Sequence, residues 1–207
     1  MNSKHIVRIC SVLLALSAGL STFALAQQEA EHEFQLGVVN FSISCNEKAQ
    51  VNFNTGLALL HHRMYEQARP HFEATAKVDP SCAMARWGIA MTSFQPLWHP
   101  TSPEGLERGK AALAMARELG APTERERGYI AAVEAFFTDP ESRGESPARD
   151  HAARVRAWLE AQRELHESYP EDVDAAAFYA LAEVCYAMTQ FSPHEERDLP
   201  ANAGREP

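Results

Sequence analysis

Four residues set the frame for the whole chain. Gly56, Ala68, Phe72 and Pro80 stand 12, 4 and 8 residues apart, a spacing that fits one antiparallel helical hairpin in an array with a period of about 34 residues. The two small residues let the helices of a hairpin approach closely, and the aromatic ring packs inward. The proline closes one unit and opens the next, because it is tolerated at a first helical position. Asn52–Met91 therefore reads as one hairpin plus the first helix of a second. The same grammar, continued, predicts an all-α, right-handed α-solenoid of about three and a half hairpins over residues 44–190.

The N-terminus reads differently. Lys4, His5 and Arg8 precede an uncharged run from Ile9 to Ala26 that closes on Ala24-Leu25-Ala26, the pattern of a secretory signal peptide. Cleavage after Ala26 is expected, with an uncleaved membrane anchor as the alternative. Cys10 lies within the apolar run, which argues against a lipoprotein anchor. The mature chain would then be periplasmic or secreted, with no membrane span, in a compartment where disulfides persist. Hydrophobic residues make up 45 % of the chain, ordinary globular usage. The net charge is −9, and removing Lys4 and Arg8 with the signal lowers it to −11. Such a surface repels phosphate backbones and anionic lipid heads, so nucleic acid is not an expected partner.

Residues 27–43 read as a flexible or extended leader. From Val39 to Cys45 apolar and polar residues alternate, which predicts an extended segment lying against the first helices. Ser44 and Glu47 have capping-box spacing, and the first helix is expected to run to about His62 with Val51, Leu57, Leu59 and Leu60 as its apolar positions. Its partner covers roughly Tyr65–Lys77, with Pro70 as an irregularity. Ser81 opens the second hairpin, a longer loop spans Gln95–Ser102, and Ser102-Pro103 starts a helix that stops at Gly120. In the third hairpin Thr123 and Glu126 form another capping box, followed by an apolar stripe through Tyr129, Ile130, Val133, Phe136 and Phe137. Its partner helix begins at Ser146-Pro147 and buries Ala152, Val155, Trp158, Leu159 and Leu165. A last first-type helix, about Val173–Met188, has no partner helix after it, and residues 191–207 read as a disordered tail.

The segments GLALLHHRMYEQARPHF, DPSCAMARWGIAM, ARELGAPTERERGYIAAVEAFF and YPEDVDAAAFYALA resemble a secreted bacterial tetratricopeptide (TPR) repeat family over roughly Leu36–Met188. The resemblance implies a protein-binding scaffold and supplies no catalytic residues or cofactor. Proteins of that kind continue through further repeats, whereas this chain departs from them after about Thr189, which implies a shortened copy. By the same analogy the first helix of each hairpin lines a concave face. Phe53, Asn54, Leu57 and His61 would line it in one repeat and Trp87, Met91 and Phe94 in the next, with Trp98 overhanging from the long loop. Core packing competes for every apolar member of that set.

The chemistry-bearing residues point nowhere else. His61 and His62 are about 100° apart on a helix and cannot both face one metal. Gly105-Leu-Glu-Arg-Gly109-Lys110 is one residue too short for a phosphate-binding loop and sits inside a predicted helix. No nucleophile-elbow pattern is present, and no metal or other cofactor is expected. Cys45 and Cys82 occupy the first turns of neighbouring first-type helices, 37 residues apart. Such helices lie with axes about 8–10 Å apart, whereas a disulfide needs Cα atoms within about 6.8 Å, so their leading loops must lean together. A Cys45–Cys82 bridge is expected, contributing on the order of 3 kcal/mol; two partly buried thiols are the alternative. Cys185 reads as a small apolar residue. The expected function is a non-catalytic scaffold for a protein or peptide partner. The alternative is a remnant or accessory segment of a longer repeat protein. With the last helix unpaired, a functional short form is expected to be a folded monomer, or a defined dimer that self-associates through Phe178, Leu181 and Val184.

Overall fold

The computed structural model describes residues 36–97, 100–139 and 147–191. The predicted signal peptide, most of the predicted tail, Trp98 and the loop 140–146 lie outside the described residues. All the helices belong to one compact unit that begins at Val38, and Leu36 and Gly37 fall in a separate one. The described residues form seven α-helices and no strand: α1 (Glu47–His61), α2 (Tyr65–Val78), α3 (Ala83–Met91), α4 (Pro103–Leu119), α5 (Glu124–Phe137), α6 (Pro147–Ser168) and α7 (Val173–Phe191). None is long and apolar enough to cross a membrane.

Local chemistry sets most of the boundaries. Ser102 caps α4, its hydroxyl accepting from the Gly105 amide at 3.1 Å. Gly120 ends that helix at φ 71°, a left-handed conformation that favours glycine. Thr123 and Glu126 form the reciprocal capping box at the start of α5. The capping box expected at Ser44 and Glu47 does not form. Asn46 is the N-cap of α1 and accepts from the Ala49 amide at 2.9 Å. The Ser44 amide donates instead to Glu126 Oε1, 82 residues away, at 2.6 Å. Two good caps stand two residues apart here, and the tertiary bond to Glu126 decides between them.

Each helix packs on the next in sequence, and α3 also touches α1 and α5, the neighbour pattern of stacked hairpins. The close approaches fall where the small residues stand. A Cβ on Gly56 would come within 3.1 Å of the Phe72 ring, and one on Gly88 would lie 2.1 Å from it. Gly109, in the glycine-rich stretch of α4, faces Phe137 in the same way. Arg154 of α6 is buried and closes the turn after α5. It donates to the carbonyls of Phe136 and Thr138 and to the carboxylates of Asp139 and Asp150.

The core runs through the first-type helices α1, α3, α5 and α7. Each contributes a large aromatic residue that is almost fully buried: Phe53, Trp87, Tyr129 and Phe178. Trp87 sits among them, its ring centroid 6.0 Å from Phe53, 5.8 Å from Tyr129 and 5.8 Å from Phe178. His61 at the end of α1 stacks on Phe178 of α7 at 5.0 Å. Side chains at the end of α1 thus reach those of α7, with aromatic rings filling the space between the helices. Val51, expected to face inward, is 67 % exposed on the outer side of α1.

Phe178 consequently has no free face for self-association, and Leu181 is half-buried. The exposed apolar stripe of α7 is Val184, Met188 and Phe191 instead. In α6, Val155, Trp158 and Leu165 are buried, while Ala152 and Leu159 are half-buried. Cys185 is a buried free thiol whose pKa is pushed up to about 12 by burial.

Candidate functional site

The concave-face reading of the apolar candidates is overturned. Phe53, Leu57 and Trp87 have no measurable exposure, and Met91 and Phe94 are each 2 % exposed. The physical reason is that the rings pack on one another and on Phe41. A 3.6-residue stripe shows which way a side chain points, but only the tertiary packing shows whether that side is open or filled. Phe94 stacks on Phe136 at 4.3 Å and meets Trp158 edge-on at 5.3 Å, so it is core of the second and third hairpins. Trp98 lies outside the described residues.

The two polar candidates are only half-buried and both work inside the protein. Asn54 Oδ1 accepts from Gln50 Nε2 at 2.7 Å. His61 Nε2 lies 2.8 Å from Asp174 Oδ1, a contact across 113 residues. Cys45 and Cys82, 5.4 Å apart at Cα, are joined as a disulfide, which ties the start of α1 to the start of α3.

What covers the inner side is the segment before α1. Val38–Cys45 has no regular secondary structure, and its residues alternate as the sequence predicts. Val39, Phe41 and Ile43 turn inward, whereas Asn40, Ser42 and Ser44 are exposed. The residues that read as a leader are therefore partly structural. Phe41 is 1 % exposed and inserts among the first-type helices. Its ring lies 5.4 Å from Phe53, 4.9 Å from Tyr129 and 6.1 Å from Trp87.

Arg125 in the first turn of α5 ties this segment to α7. Its guanidinium carbon stands 4.0 Å above the Phe41 ring, a cation–π contact. Its Nη1 donates to the Ser42 carbonyl at 3.3 Å, and its Nε donates to Asp172 Oδ2 at 2.6 Å. Asp172 also accepts from the Asp174 and Ala175 amides, so it caps α7 while holding Arg125. Burial works against the Asp172 charge, but the hydrogen bond and charge of Arg125 outweigh it and leave the carboxyl below its ordinary pKa. The Tyr129 phenol beneath is pushed up by burial and, next, by the Asp172 charge.

Beside the segment lies an open cleft of about 580 Å³, lined by Val38, Val39, Asn40, His61, Arg125, Glu171, Asp172, Val173, Asp174 and Ala177. The sequence reading missed Gln50, Arg125, Asp172 and Asp174. One signal was there: Asp172 stands two residues after Pro170, as Cys82 does after Pro80, so both open a first-type helix facing the same side. The His61–Asp174 pair orients an imidazole, and Glu171 adds a third carboxylate to the lining. Among the described residues no group of three His, Cys, Asp or Glu side chains is placed to hold a metal ion. The carboxylates of Asp172 and Asp174 are already engaged by Arg125 and His61. The arrangement offers donors and acceptors along a trough, next to a chain segment held in extended form.

No family model, curated protein or solved structure matches this chain.

Proposed function

We propose that this chain is a non-catalytic TPR-type scaffold, wound as a right-handed α-solenoid, that binds a protein or peptide partner in the cell envelope or outside the cell. The observation that carries the reading is the cleft of about 580 Å³ on the side of α1, α5 and α7 where the first-type helices face one another. Its rim presents Asn40, His61, Arg125, Asp172 and Asp174, and its floor continues into a surface that already holds one extended segment. Polar groups of both signs around a trough suit a peptide backbone, which carries a donor and an acceptor at nearly every residue. The repeat period and the stacked-hairpin packing support the same architecture.

Site-specific photocrosslinking tests this. A photoreactive residue in place of Ala177, which is exposed in the cleft, is expected to give a discrete adduct in cells that export the full chain. The same residue in place of Met115, 43 % exposed on α4, is the outer-face comparison. Equal adducts from both positions, or none from Ala177, would count against the cleft as a partner surface.

A second reading, an accessory segment of a larger assembly, is favoured by one observation. Val184, Met188 and Phe191 are 53 %, 53 % and 81 % exposed at spacings of four and three on one face of α7, a stripe of the kind that receives another helix. Light scattering separates the two: a monomer at micromolar concentration supports the scaffold alone, and a defined oligomer lost in Phe191→Ser supports the second reading.

A further inference from the structure

The extended segment is held in an unusual way for a piece of core. It pairs with no strand among the described residues, and side chains of α1 and α5 bind its backbone residue by residue. The Gln50 amide acts as a fork, donating to the Phe41 carbonyl at 2.8 Å and accepting from the Ile43 amide at 3.0 Å. Arg125 donates to the Ser42 carbonyl, and Glu126 Oε1 accepts from the Ser44 amide. Each residue from 41 to 44 thus has a backbone group held by a helix side chain. One side chain alone, Phe41, is fully buried.

The run along the helix is long enough for a real binding trough. Gln50 to His61 spans about 16 Å of α1 at 1.5 Å per residue, and an extended chain covers that distance in about five residues. Ile43 meets Gln50 at one end, while Val38, Val39 and Asn40 share the cleft with His61 at the other. Asn54 lies between them and accepts from the Gln50 amide, which holds the fork in its reading position. The segment is tied covalently to the helices at Cys45, by the chain into α1 and by the bridge to Cys82. At its far end the Val38 side chain is wholly exposed.

We propose that residues 38–44 are a ligand carried in cis. They fill the site at which the inner face accepts an extended peptide with an aromatic anchor two residues before an aliphatic one, and a partner segment of that pattern binds by displacing them. The Gln50 fork, Arg125 and Glu126 read backbone and therefore serve any such peptide. The pocket between Phe53, Trp87, Tyr129 and the Arg125 guanidinium selects the aromatic residue. A short tether gives an effective concentration of about millimolar, so a closed site weakens a micromolar competitor by roughly a hundredfold or more. The inference rests on the reading of the inner face as a peptide-binding surface.

The test uses the full oxidised chain and a labelled, end-blocked synthetic peptide with the sequence of residues 38–44. Phe41→Ala is expected to open the site and bind this peptide saturably, with a dissociation constant about a hundredfold below that of the wild type. The same peptide with Ala in place of its Phe should bind neither protein. A folded Phe41→Ala protein that ignores the peptide, or equal binding to variant and wild type, overturns the proposal. Where Phe41→Ala loses its helical signal, adding the peptide should restore that signal, and no restoration overturns the proposal as well. Phe41→Leu, which keeps an apolar plug, is expected to fall between variant and wild type. Failure here leaves the Ala177 adduct intact, whereas loss of that adduct with peptide exchange intact would count against the scaffold reading alone.

Discussion

Truncating Trp87 to alanine separates a filled core from an open groove. The Trp87 side chain has no exposure and meets five aromatic rings, those of Phe41, Phe53, Phe72, Tyr129 and Phe178, at centroid distances of 6.1, 6.0, 6.4, 5.8 and 5.8 Å. Removing a buried Trp costs about 3–5 kcal/mol in lost transfer energy and cavity formation. The five neighbours come from the N-terminal segment and from α1, α2, α5 and α7, so partial collapse cannot close the hole without moving several elements. A domain holds only about 5–15 kcal/mol in total, and about 1 kcal/mol shifts Tm by roughly 2–4 °C at this size. Trp87→Ala should therefore lower Tm by about 10 °C, and in urea it should lower the midpoint with little change in slope. Far-UV circular dichroism of the oxidised full chain reads both. Val51→Ala, at a position 67 % exposed, should stay within about 0.5 kcal/mol of wild type. A Trp87→Ala protein of normal helix content that loses less than about 1 kcal/mol would refute the core assignment, because only a solvated tryptophan can be removed so cheaply.

Three further outcomes follow from the packing and the charges. Gly88→Ala gains about 1 kcal/mol of helix propensity but sets a Cβ 2.1 Å from a Phe72 ring that is itself fully buried. It should be net destabilising by about 1–3 kcal/mol, and a stabilised variant in urea melts would contradict that contact. Replacing both Cys45 and Cys82 by serine should cost about 3–4 kcal/mol for a loop of this length; unchanged melting, with mass spectrometry confirming the bridge in the parent, would contradict it. Acid should destabilise the protein in a defined window. The Asp139 pKa is lowered to about 2, first by its hydrogen bond from Arg154 and next by that from Lys110, and the Asp79 and Asp172 pKa values are lowered as well. An unfolded aspartate titrates near pH ~3.9, so the unfolded chain takes up protons first. The stability these groups contribute is complete above that value and is lost as pH falls from about 4 toward 2. Urea midpoints that rise between pH 4 and 3 would contradict this sign.

The sequence makes the helices legible because their signals are local. Ser102-Pro103, Thr123 with Glu126, and Gly120 act through bonds to residues within three or four positions, so composition and spacing reveal them. The inner face is not legible in that way. Whether Trp87 and Phe94 meet solvent depends on contacts between residues far apart in sequence, such as His61 with Asp174, 113 residues apart. A hint was present in the aromatic count. Four first-type helices that each bring a large ring, with Phe41 as a fifth, carry more apolar surface than a wet groove tolerates. The alternation from Val39 to Cys45 correctly separates inward from outward residues. It could not reveal that Gln50 and Glu126 bind the backbone in between, because amide and carboxylate side chains on helices look solvated until a partner is placed on them. The Ser44 cap fails for the same reason, since the residue that claims its amide belongs to the third hairpin.

Gln50 and Glu126 hold an extended chain segment by its backbone, and hydrogen exchange at the Ile43 and Ser44 amides reads that grip, since these two donate to the two side chains and have no place in a helix or sheet. In the oxidised full chain both should exchange at least about a hundredfold more slowly than in the free peptide, which corresponds to about 2.7 kcal/mol of local opening free energy. Exchange of both amides at the free-peptide rate, with the α1 amides still protected, would contradict that grip.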